Sequence, residues 1–129
     1  MTTEPKSSVL VVEDEMFIRM LAVDTLEDGG YVILEAGDAR EALALLEQTP
    51  NISLIFTDIN MPGDLDGLDL ATEVAKRWPH IEIIVTSGAV RLEDDVIPDA
   101  GRFLPKPYLP ADLARLVKSQ LVDRKGESD

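Results

Sequence analysis

"LIFTDINMPGD", residues 54–64, is the stretch that decides the fold, because it joins an apolar strand to a polar loop. Its apolar residues are mostly of the β-branched and aromatic types that favour strands. The run ends at Asp58, and Asn60, a Met-Pro pair and a loop of acids and glycine follow. The sequence therefore places a carboxylate at the end of a buried strand. The role of this carboxylate depends on which other residues of the chain lie beside it.

Similar short apolar runs recur along the chain and alternate with helical patterns. Runs that are apolar on both faces are typical of strands in a parallel sheet covered by helices on each side. Five strand-helix pairs in this order predict an α/β fold, a doubly wound five-stranded parallel sheet. The predicted strands are 8–12, 31–34, 52–56, 81–85 and 101–104.

Four helices are predicted from apolar residues that recur at helical spacing. Asp38 has Glu41 three residues later, which is the pattern of a helix N-cap, and Pro110 suits a first helical turn. The apolar stripes are Ile18, Leu21, Ala22 and Leu26; Ala39, Ala42, Leu43 and Leu46; Ala71, Val74, Ala75 and Trp78; and Leu113, Leu116, Val117 and Leu121.

The segment 89–100 is too short for an ordinary fourth helix in this series, and Pro98 closes it. We expect a shortened helix or an irregular loop there. The predicted domain is 7–123, and 1–6 and 124–129 are expected to be flexible tails.

Composition excludes several classes of protein. The 129 residues carry a net charge of −13, which argues against nucleic-acid binding. No apolar run reaches the roughly 18 residues of a membrane span. There is no cysteine and one histidine, so thiolate and zinc-cluster sites are excluded. These features predict a cytoplasmic domain with no membrane partner.

Polar residues stand at the ends of four of the predicted strands, where an open α/β sheet binds its ligands. They are Glu13, Asp14, Asp58, Thr86, Ser87 and Lys106. Any one of them alone would more often be a turn-former or a solvated charge. Their joint placement at one edge of the sheet favours a common site.

The chemistry of such a site follows from its charges. Clustered carboxylates repel one another, and Mg²⁺ relieves the repulsion because it prefers oxygen ligands and takes one or two carboxylates from the protein. A carboxylate beside such an ion can attack phosphorus and form an aspartyl phosphate. Because phosphoryl transfer depends mainly on positioning and charge neutralisation, Lys106 and a hydroxyl group suit the remaining phosphoryl oxygens.

At these spacings, "VVEDE", "TDINMPGDLDG", "TSG" and "FLPKPY" make the chain resemble the receiver domain of two-component response regulators, from about 9 to 121. The resemblance implies the flavodoxin-like receiver fold with strand order 2-1-3-4-5. Because no effector module follows 123, we expect a stand-alone receiver, with a receiver cut from a longer protein as the alternative. The resemblance implies that the chain is not a true enzyme and that it self-catalyses only phosphoryl transfer and slow autodephosphorylation.

The resemblance also implies roles for individual residues. Asp58 is the phosphoacceptor and a metal ligand. Asp14 binds Mg²⁺ directly, and Glu13 binds it through water or as a second ligand. Asn60 offers its backbone carbonyl to the metal. Lys106 binds the phosphoryl group, and its bond to Pro107 is cis.

The switch residues implied by the resemblance are a strand-end hydroxyl and an aromatic residue, Phe103. The hydroxyl is Ser87, with Thr86 as the alternative, since side chains alternate along a strand and only one can face the phosphate. Positions two past the acceptor and two past the hydroxyl tune hydrolysis in the family. The second is Ala89, which cannot hold a water, so slow dephosphorylation is expected. One residue more than usual in "MPGDLDG" predicts an altered loop.

Three functions compete at this point. The first is a phosphorylated switch that receives its phosphoryl group from a sensor histidine kinase or a histidine phosphotransfer protein and acts on an unknown downstream protein, as a monomer or weak homodimer. Partner choice would lie on the first helix, at Phe17, Arg19 and Met20, although Phe17 and Met20 could equally be core. The rivals are a phosphorylation-independent interaction module and a phosphohydrolase of the haloacid dehalogenase type.

Overall fold

The computed structural model describes residues 7–89 and 91–127 and contains a parallel five-stranded sheet in the order β2-β1-β3-β4-β5. This is the predicted doubly wound α/β fold. The strands are β1 Ser8–Val12, β2 Val32–Ala36, β3 Ile52–Asp58, β4 Glu82–Ser87 and β5 Arg102–Pro105. The helices are α1 Met16–Asp28, α2 Ala39–Gln48, α3 Gly67–Arg77 and α4 Pro110–Glu127.

The sheet is buried on both faces, which explains why its strands are apolar without alternation. One core contains alternate strand residues such as Leu10 and Ile55 together with residues of α2 and α3. The other contains Val11 and Leu54 together with residues of α1 and α4. Because the winding direction reverses between β1 and β3, a crevice opens beyond their carboxyl ends.

The start of α3 brings a helix against the end of β3. Asp66 accepts a hydrogen bond from the Asp69 amide, and the Asp69 carboxylate accepts one from the Asp66 amide, so the pair forms a capping box. Gly67, the first helical residue, donates its N–H to the Ile59 carbonyl at 2.9 Å. A Cβ at position 67 would overlap the Asp58 carbonyl oxygen, so only glycine allows this close approach.

The predicted N-cap of α2 is confirmed, because the Asp38 carboxylate accepts a hydrogen bond of 2.8 Å from the Glu41 amide. The stripe predicted on α1 is partly wrong: Ala22 and Leu26 are buried, but Leu21 is 46% exposed. Helical spacing cannot say how wide a buried face is. The face of α1 that meets the sheet is narrow.

The segment between β4 and β5 contains two 3₁₀ turns, Asp94–Val96 and Pro98–Ala100, in place of a regular fourth helix. The expectation of a shortened or irregular element is therefore confirmed, although Val90 lies outside the described residues. Asp99 has a φ of 59°, and Gly101 after the second turn has an extended backbone, so neither residue continues a helix. Pro98 also lacks the N–H that a continuing helix would need.

The last helix continues to Glu127, past the predicted domain end at 123. The predicted tail at 1–6 lies outside the described residues, as do the last two positions of the tail at 124–129. Among the described residues, the helices lack the combination of length and apolarity needed to cross a membrane.

Candidate functional site

Three carboxylates converge in the crevice between β1 and β3. Asp58 is the last residue of β3, and Glu13 and Asp14 directly follow β1. One oxygen of each lies within 4.8 Å of the others. Glu13 and Asp58 are only 4% and 5% exposed, whereas Asp14 is exposed. The structure thus brings together three of the predicted metal-binding residues, two of them on a buried floor.

Lys106 supplies a positive charge to the two buried acids. It follows β5, and its Nζ lies 2.8 Å from Glu13 Oε1 and 3.2 Å from Asp58 Oδ2. Its backbone N–H donates to the Ser87 carbonyl at 3.0 Å, and its bond to Pro107 is cis, as the resemblance implies. A residue 93 positions from Glu13 in the sequence is therefore placed between two carboxylates.

Burial and charge shift the titration of this group of residues. Burial raises the pKa of the Glu13 carboxyl above its usual value, and the hydrogen bond from Lys106 only partly offsets it. Burial alone would lower the pKa of Lys106, but the hydrogen bond and charge of Glu13, with a contribution from Asp58, raise it. Lys106 is therefore a firmly protonated cation at neutral pH.

The two candidate hydroxyls have different surroundings. Ser87 Oγ donates to Asn60 Oδ1 at 2.9 Å and accepts a hydrogen bond of 3.1 Å from the Ala89 amide. Thr86 Oγ1 is buried and has no hydrogen-bond partner among the described residues. The Ser87 hydroxyl is thus linked to the residue two positions past Asp58. Asn60 is exposed, and its own N–H makes a long contact of 3.4 Å with Asp58 Oδ1.

The predicted switch aromatic, Phe103, lies outside this cluster. It is partly buried against the core on the α2 and α3 face, as is Leu92. Its backbone N–H donates to Asp94 Oδ1 at 2.9 Å, and Arg102 Nη1 lies 3.5 Å from Asp94 Oδ2. The irregular segment is therefore tied to β5 at Phe103.

Two residues at the site were missed in the sequence. The sequence predicts a partner contact at Arg19, but its side chain turns back and Nη1 donates to the Glu13 carbonyl at 2.9 Å. Tyr108 has a buried hydroxyl without a hydrogen-bond partner among the described residues. Burial, together with the Glu13 and Asp58 carboxylates, raises the pKa of Tyr108 to about 12. Its place directly after Lys106-Pro107 was the available signal.

The donor set fits Mg²⁺. All three side chains offer carboxylate oxygens, the hard ligands that Mg²⁺ prefers. At metal–oxygen distances near 2.1 Å, adjacent ligands of an octahedral ion are about 3.0 Å apart and opposite ligands about 4.2 Å apart. Oxygens within 4.8 Å of one another could therefore reach one ion by closing in around it. Both Glu13 oxygens already accept hydrogen bonds, from Lys106 and from the Glu15 amide. Asp14, which is exposed, is therefore the most available direct ligand, and Asp58 accepts longer contacts than Glu13 does, 3.2 Å from Lys106 and 3.4 Å from the Asn60 amide.

Comparisons with known proteins agree with this geometry. The family model for the response regulator receiver domain matches residues 9–118. A response regulator receiver domain protein (CheY-like) from Methanospirillum hungatei has a solved structure that superimposes with a TM-score of 0.86 at 30% identity, covering 95% of this chain and 99% of that one.

Two curated relatives are much longer than the match. The sensor kinase CckA of Brucella abortus is 36% identical over 89% of this chain and 12% of its own length. The transcriptional regulatory protein PdtaR of Mycobacterium tuberculosis is 38% identical over 81% of this chain and 52% of its own length. The chain thus spans about half or less of these relatives. The match to the family model and to receiver structures shows that the chain belongs to the family of response regulator receiver domains.

Proposed function

We propose that the chain is a phosphoryl-accepting switch in which Asp58 is the phosphoacceptor. One observation carries the proposal: Asp58 is a buried carboxylate that lies 3.2 Å from the Lys106 ammonium and within reach of two further carboxylates. A structural ion pair would need only one acid. Two extra carboxylates beside the pair have an electrostatic cost, which a bound cation would relieve.

The proposed step is an in-line displacement at phosphorus. An Asp58 carboxylate oxygen forms a bond to the phosphorus of a phosphohistidine, and the phosphorus–nitrogen bond of the donor breaks. The electron pair of that bond stays on the imidazole nitrogen, which takes up a proton from solvent. Lys106 lies 3.2 Å from an Asp58 oxygen, so its ammonium can neutralise the charge brought by the phosphoryl oxygens.

Mg²⁺, when bound, would supply charge neutralisation for the carboxylates and the incoming phosphoryl group. Asp14 and Asp58 would hold it directly, Glu13 through water, and Asn60 through its backbone carbonyl. The exposure of Asp14 and the hydrogen bonds that occupy Glu13 support the roles of these two residues, and the role of the Asn60 carbonyl is the one that the resemblance implies.

The surface beside the site suits a protein donor. Phe17 and Met20 are 83% and 51% exposed, so the alternative that they belong to the core is excluded. Next to them lies a pocket of about 340 Å³ lined by Ile18, Leu21, Gly88, Lys106, Pro107 and Tyr108. An apolar surface adjoining Lys106 would let a histidine kinase or phosphotransfer protein bring its phosphohistidine to Asp58.

Ser87 and Phe103 would transmit the change. A phosphoryl group on Asp58 offers strong acceptors that compete for the Ser87 hydroxyl, now bonded to Asn60. Movement at the end of β4 would reach Phe103 through its register with Val85 on the neighbouring strand. The output would be an altered surface for a downstream protein.

The test is incubation of the full chain with acetyl phosphate and Mg²⁺, followed by intact-protein mass spectrometry. We expect one phosphoryl adduct, labile to base, and its loss in Asp58→Asn. Asp64→Asn is the matched control, because Asp64 is an exposed acid in the following loop. Steady phosphate release without an adduct would indicate a phosphohydrolase, and no reaction would indicate an interaction module.

The adduct should also be long-lived. Ala89 is exposed and its side chain has no polar group to hold an attacking water, so we expect the phosphoryl group to remain for minutes or longer. Decay measured after removal of acetyl phosphate checks this, and a lifetime of seconds would contradict it.

A further inference from the structure

Arg19 makes contacts that its neighbours on α1 do not. Phe17 and Met20 extend into solvent, but the side chain of Arg19 is only 22% exposed. Its Nη1 donates to the Glu13 carbonyl at 2.9 Å, and its Nε lies 3.2 Å from Glu35 Oε1 on β2, an ion-pair contact without hydrogen-bond geometry. The guanidinium therefore holds the loop after β1 by a hydrogen bond while its other edge faces the neighbouring strand, an arrangement that a single-point cation cannot reproduce.

The contact with Glu13 completes the attachment of that residue's backbone. The Glu13 N–H donates to the Ala36 carbonyl at 3.0 Å, which fixes one side of the residue to β2. The Arg19 guanidinium fixes the carbonyl on the other side. Because a peptide unit is planar, fixing the Glu13 carbonyl also fixes the amide and Cα of Asp14. The direction in which Asp14 leaves the backbone thus depends on Arg19.

We propose that Arg19 is a positioning residue for the divalent-cation site: by holding the Glu13 carbonyl, it orients the Glu13-Asp14 peptide so that both carboxylates face Asp58. The inference rests on the proposed function, since it assumes that the three carboxylates bind Mg²⁺. It gives Arg19 a different role from the partner contact predicted from the sequence.

The sign of the effect separates positioning from simple electrostatics. Arg19 carries a positive charge near a cation site, so removing that charge alone would strengthen cation binding. If Arg19 positions the loop, removing it weakens binding, because groups that orient metal ligands typically contribute tenfold or more to affinity. The two explanations thus predict opposite changes for one substitution.

The experiment measures binding of Mg²⁺ to the full chain by calorimetry, and of Mn²⁺ by electron paramagnetic resonance. For Arg19→Gln we expect binding about tenfold weaker than in the wild-type chain. Arg115→Gln is the matched control, because Arg115 is 75% exposed on α4 and pairs with Asp112. It loses the same charge and should keep the wild-type affinity.

Arg19→Lys provides a second test that does not depend on the sign of the charge. One ammonium keeps the charge but cannot bind the Glu13 carbonyl and Glu35 in the same planar arrangement, so its affinity should lie between those of wild type and Arg19→Gln. Unfolding of each variant in EDTA verifies that binding is measured on folded protein. If Arg19→Gln does not fold, weaker binding by Arg19→Lys supports the inference and unchanged binding overturns it.

Failure of this inference can be told apart from failure of the proposed function. If the wild-type chain binds Mg²⁺ and Arg19→Gln binds it as tightly or more tightly, the positioning role is wrong and the proposed function stands. If the wild-type chain binds neither Mg²⁺ nor Mn²⁺, the proposed function is wrong, and this inference with it.

Discussion

The carboxylate cluster and the segment between β4 and β5 both follow the carboxyl ends of strands, but they are held in different ways. Glu13 is fixed through its N–H, its carbonyl and both carboxylate oxygens, by partners that include Ala36 and Lys106. Among the described residues, the backbone hydrogen bonds within 93–101 join residues three apart. Of its side chains, Asp94 reaches Phe103 on β5.

This difference indicates that the two regions differ in local stability. Contacts between distant parts of the sequence open only when larger units of structure open, whereas local turns open at low cost. On the proposed function, the acids are prearranged for a ligand, as catalysis by positioning requires. We expect the segment 93–101 to be locally less stable than the acidic cluster, even though its Ile97 is buried in the core.

The largest expected loss of stability is that of Gly67→Ala, a substitution beside the carboxylate cluster. Alanine normally favours helix over glycine by about 1 kcal/mol. Here the added methyl group would overlap the Asp58 carbonyl and approach Ile59 Cα to 2.8 Å, so backbone must move. We expect a loss of about 4 kcal/mol in unfolding free energy, measured by urea titration, together with loss of the Asp58 adduct.

Gly101→Ala is the counterpart in the irregular segment. Its methyl group would overlap the buried side chain of Ile97 and would come within 2.7 Å of the Ile83 carbonyl oxygen, so the turn must move. We expect a loss of about 2 kcal/mol and retention of Mg²⁺ binding. If Gly101→Ala loses more unfolding free energy than Gly67→Ala, the irregular segment is the more tightly constrained of the two regions.

Lys106→Met should cause the next largest loss of unfolding free energy, because it leaves Glu13 and Asp58 facing each other without a cation. We expect the unfolding free energy at neutral pH without metal to fall by about 2 kcal/mol. This is below the usual range for fully buried ion pairs because the Lys106 side chain is 16% exposed. Lys118→Met, an exposed lysine on α4, is the control and should change little.

The pH dependence of Lys106→Met follows from Glu13. Burial raises the pKa of Glu13 above 4.5 in the folded state, so unfolding free energy falls as the pH rises from 4.5 through that folded pKa. Lys106 lowers this pKa, and its removal should raise it further, as carboxyl carbon NMR would show. The stability deficit of Lys106→Met should therefore shrink as the pH falls toward 4.5. A deficit independent of pH would mean that Glu13 is not the affected group.

The acids and Lys106 could be placed from sequence because topology alone gathers the carboxyl ends of strands. The direction of a side chain on a helix could not, because it depends on neighbours distant in the sequence. Arg19 turns toward Glu13 because Glu35 on β2 lies 3.2 Å from its Nε, a pairing that no local pattern records. Tyr108 is partly buried for a similar reason: its ring packs edge-on against Phe56 at 5.7 Å.

The sequence does not decide whether 89–100 forms a short helix or a loop, and the reason is physical. Its length and Pro98 exclude a regular helix, but they do not specify which turns replace it. The hydrogen bond from the Phe103 amide to the Asp94 carboxylate is consistent with a turn that begins at Asp94.

Asp94→Ala should have a smaller effect, confined to the irregular segment. It removes the acceptor of the Phe103 amide, and its exposed ion pair with Arg102 adds little. We expect a loss of about 1 kcal/mol, faster hydrogen exchange at Phe103 and unchanged Mg²⁺ affinity. Glu93→Ala, a neighbouring exposed acid, is the control. A change in Mg²⁺ affinity would mean that the two regions are coupled in the unphosphorylated state.

The smallest effect should be that of Arg40→Ala, which tests the loop with the extra residue. Asp64 in this loop pairs with Arg40 of α2, and both side chains are 65% exposed. The hydrogen bond from Arg40 holds the pKa of the Asp64 carboxyl below its usual range, so the substitution should return that pKa toward its ordinary value, as NMR titration would show. Because exposed pairs are weak, unfolding free energy and Mg²⁺ affinity should not change measurably. A loss of stability as large as that of Asp94→Ala would show that α2 holds the loop in place, and the loop would then belong to the prearranged region.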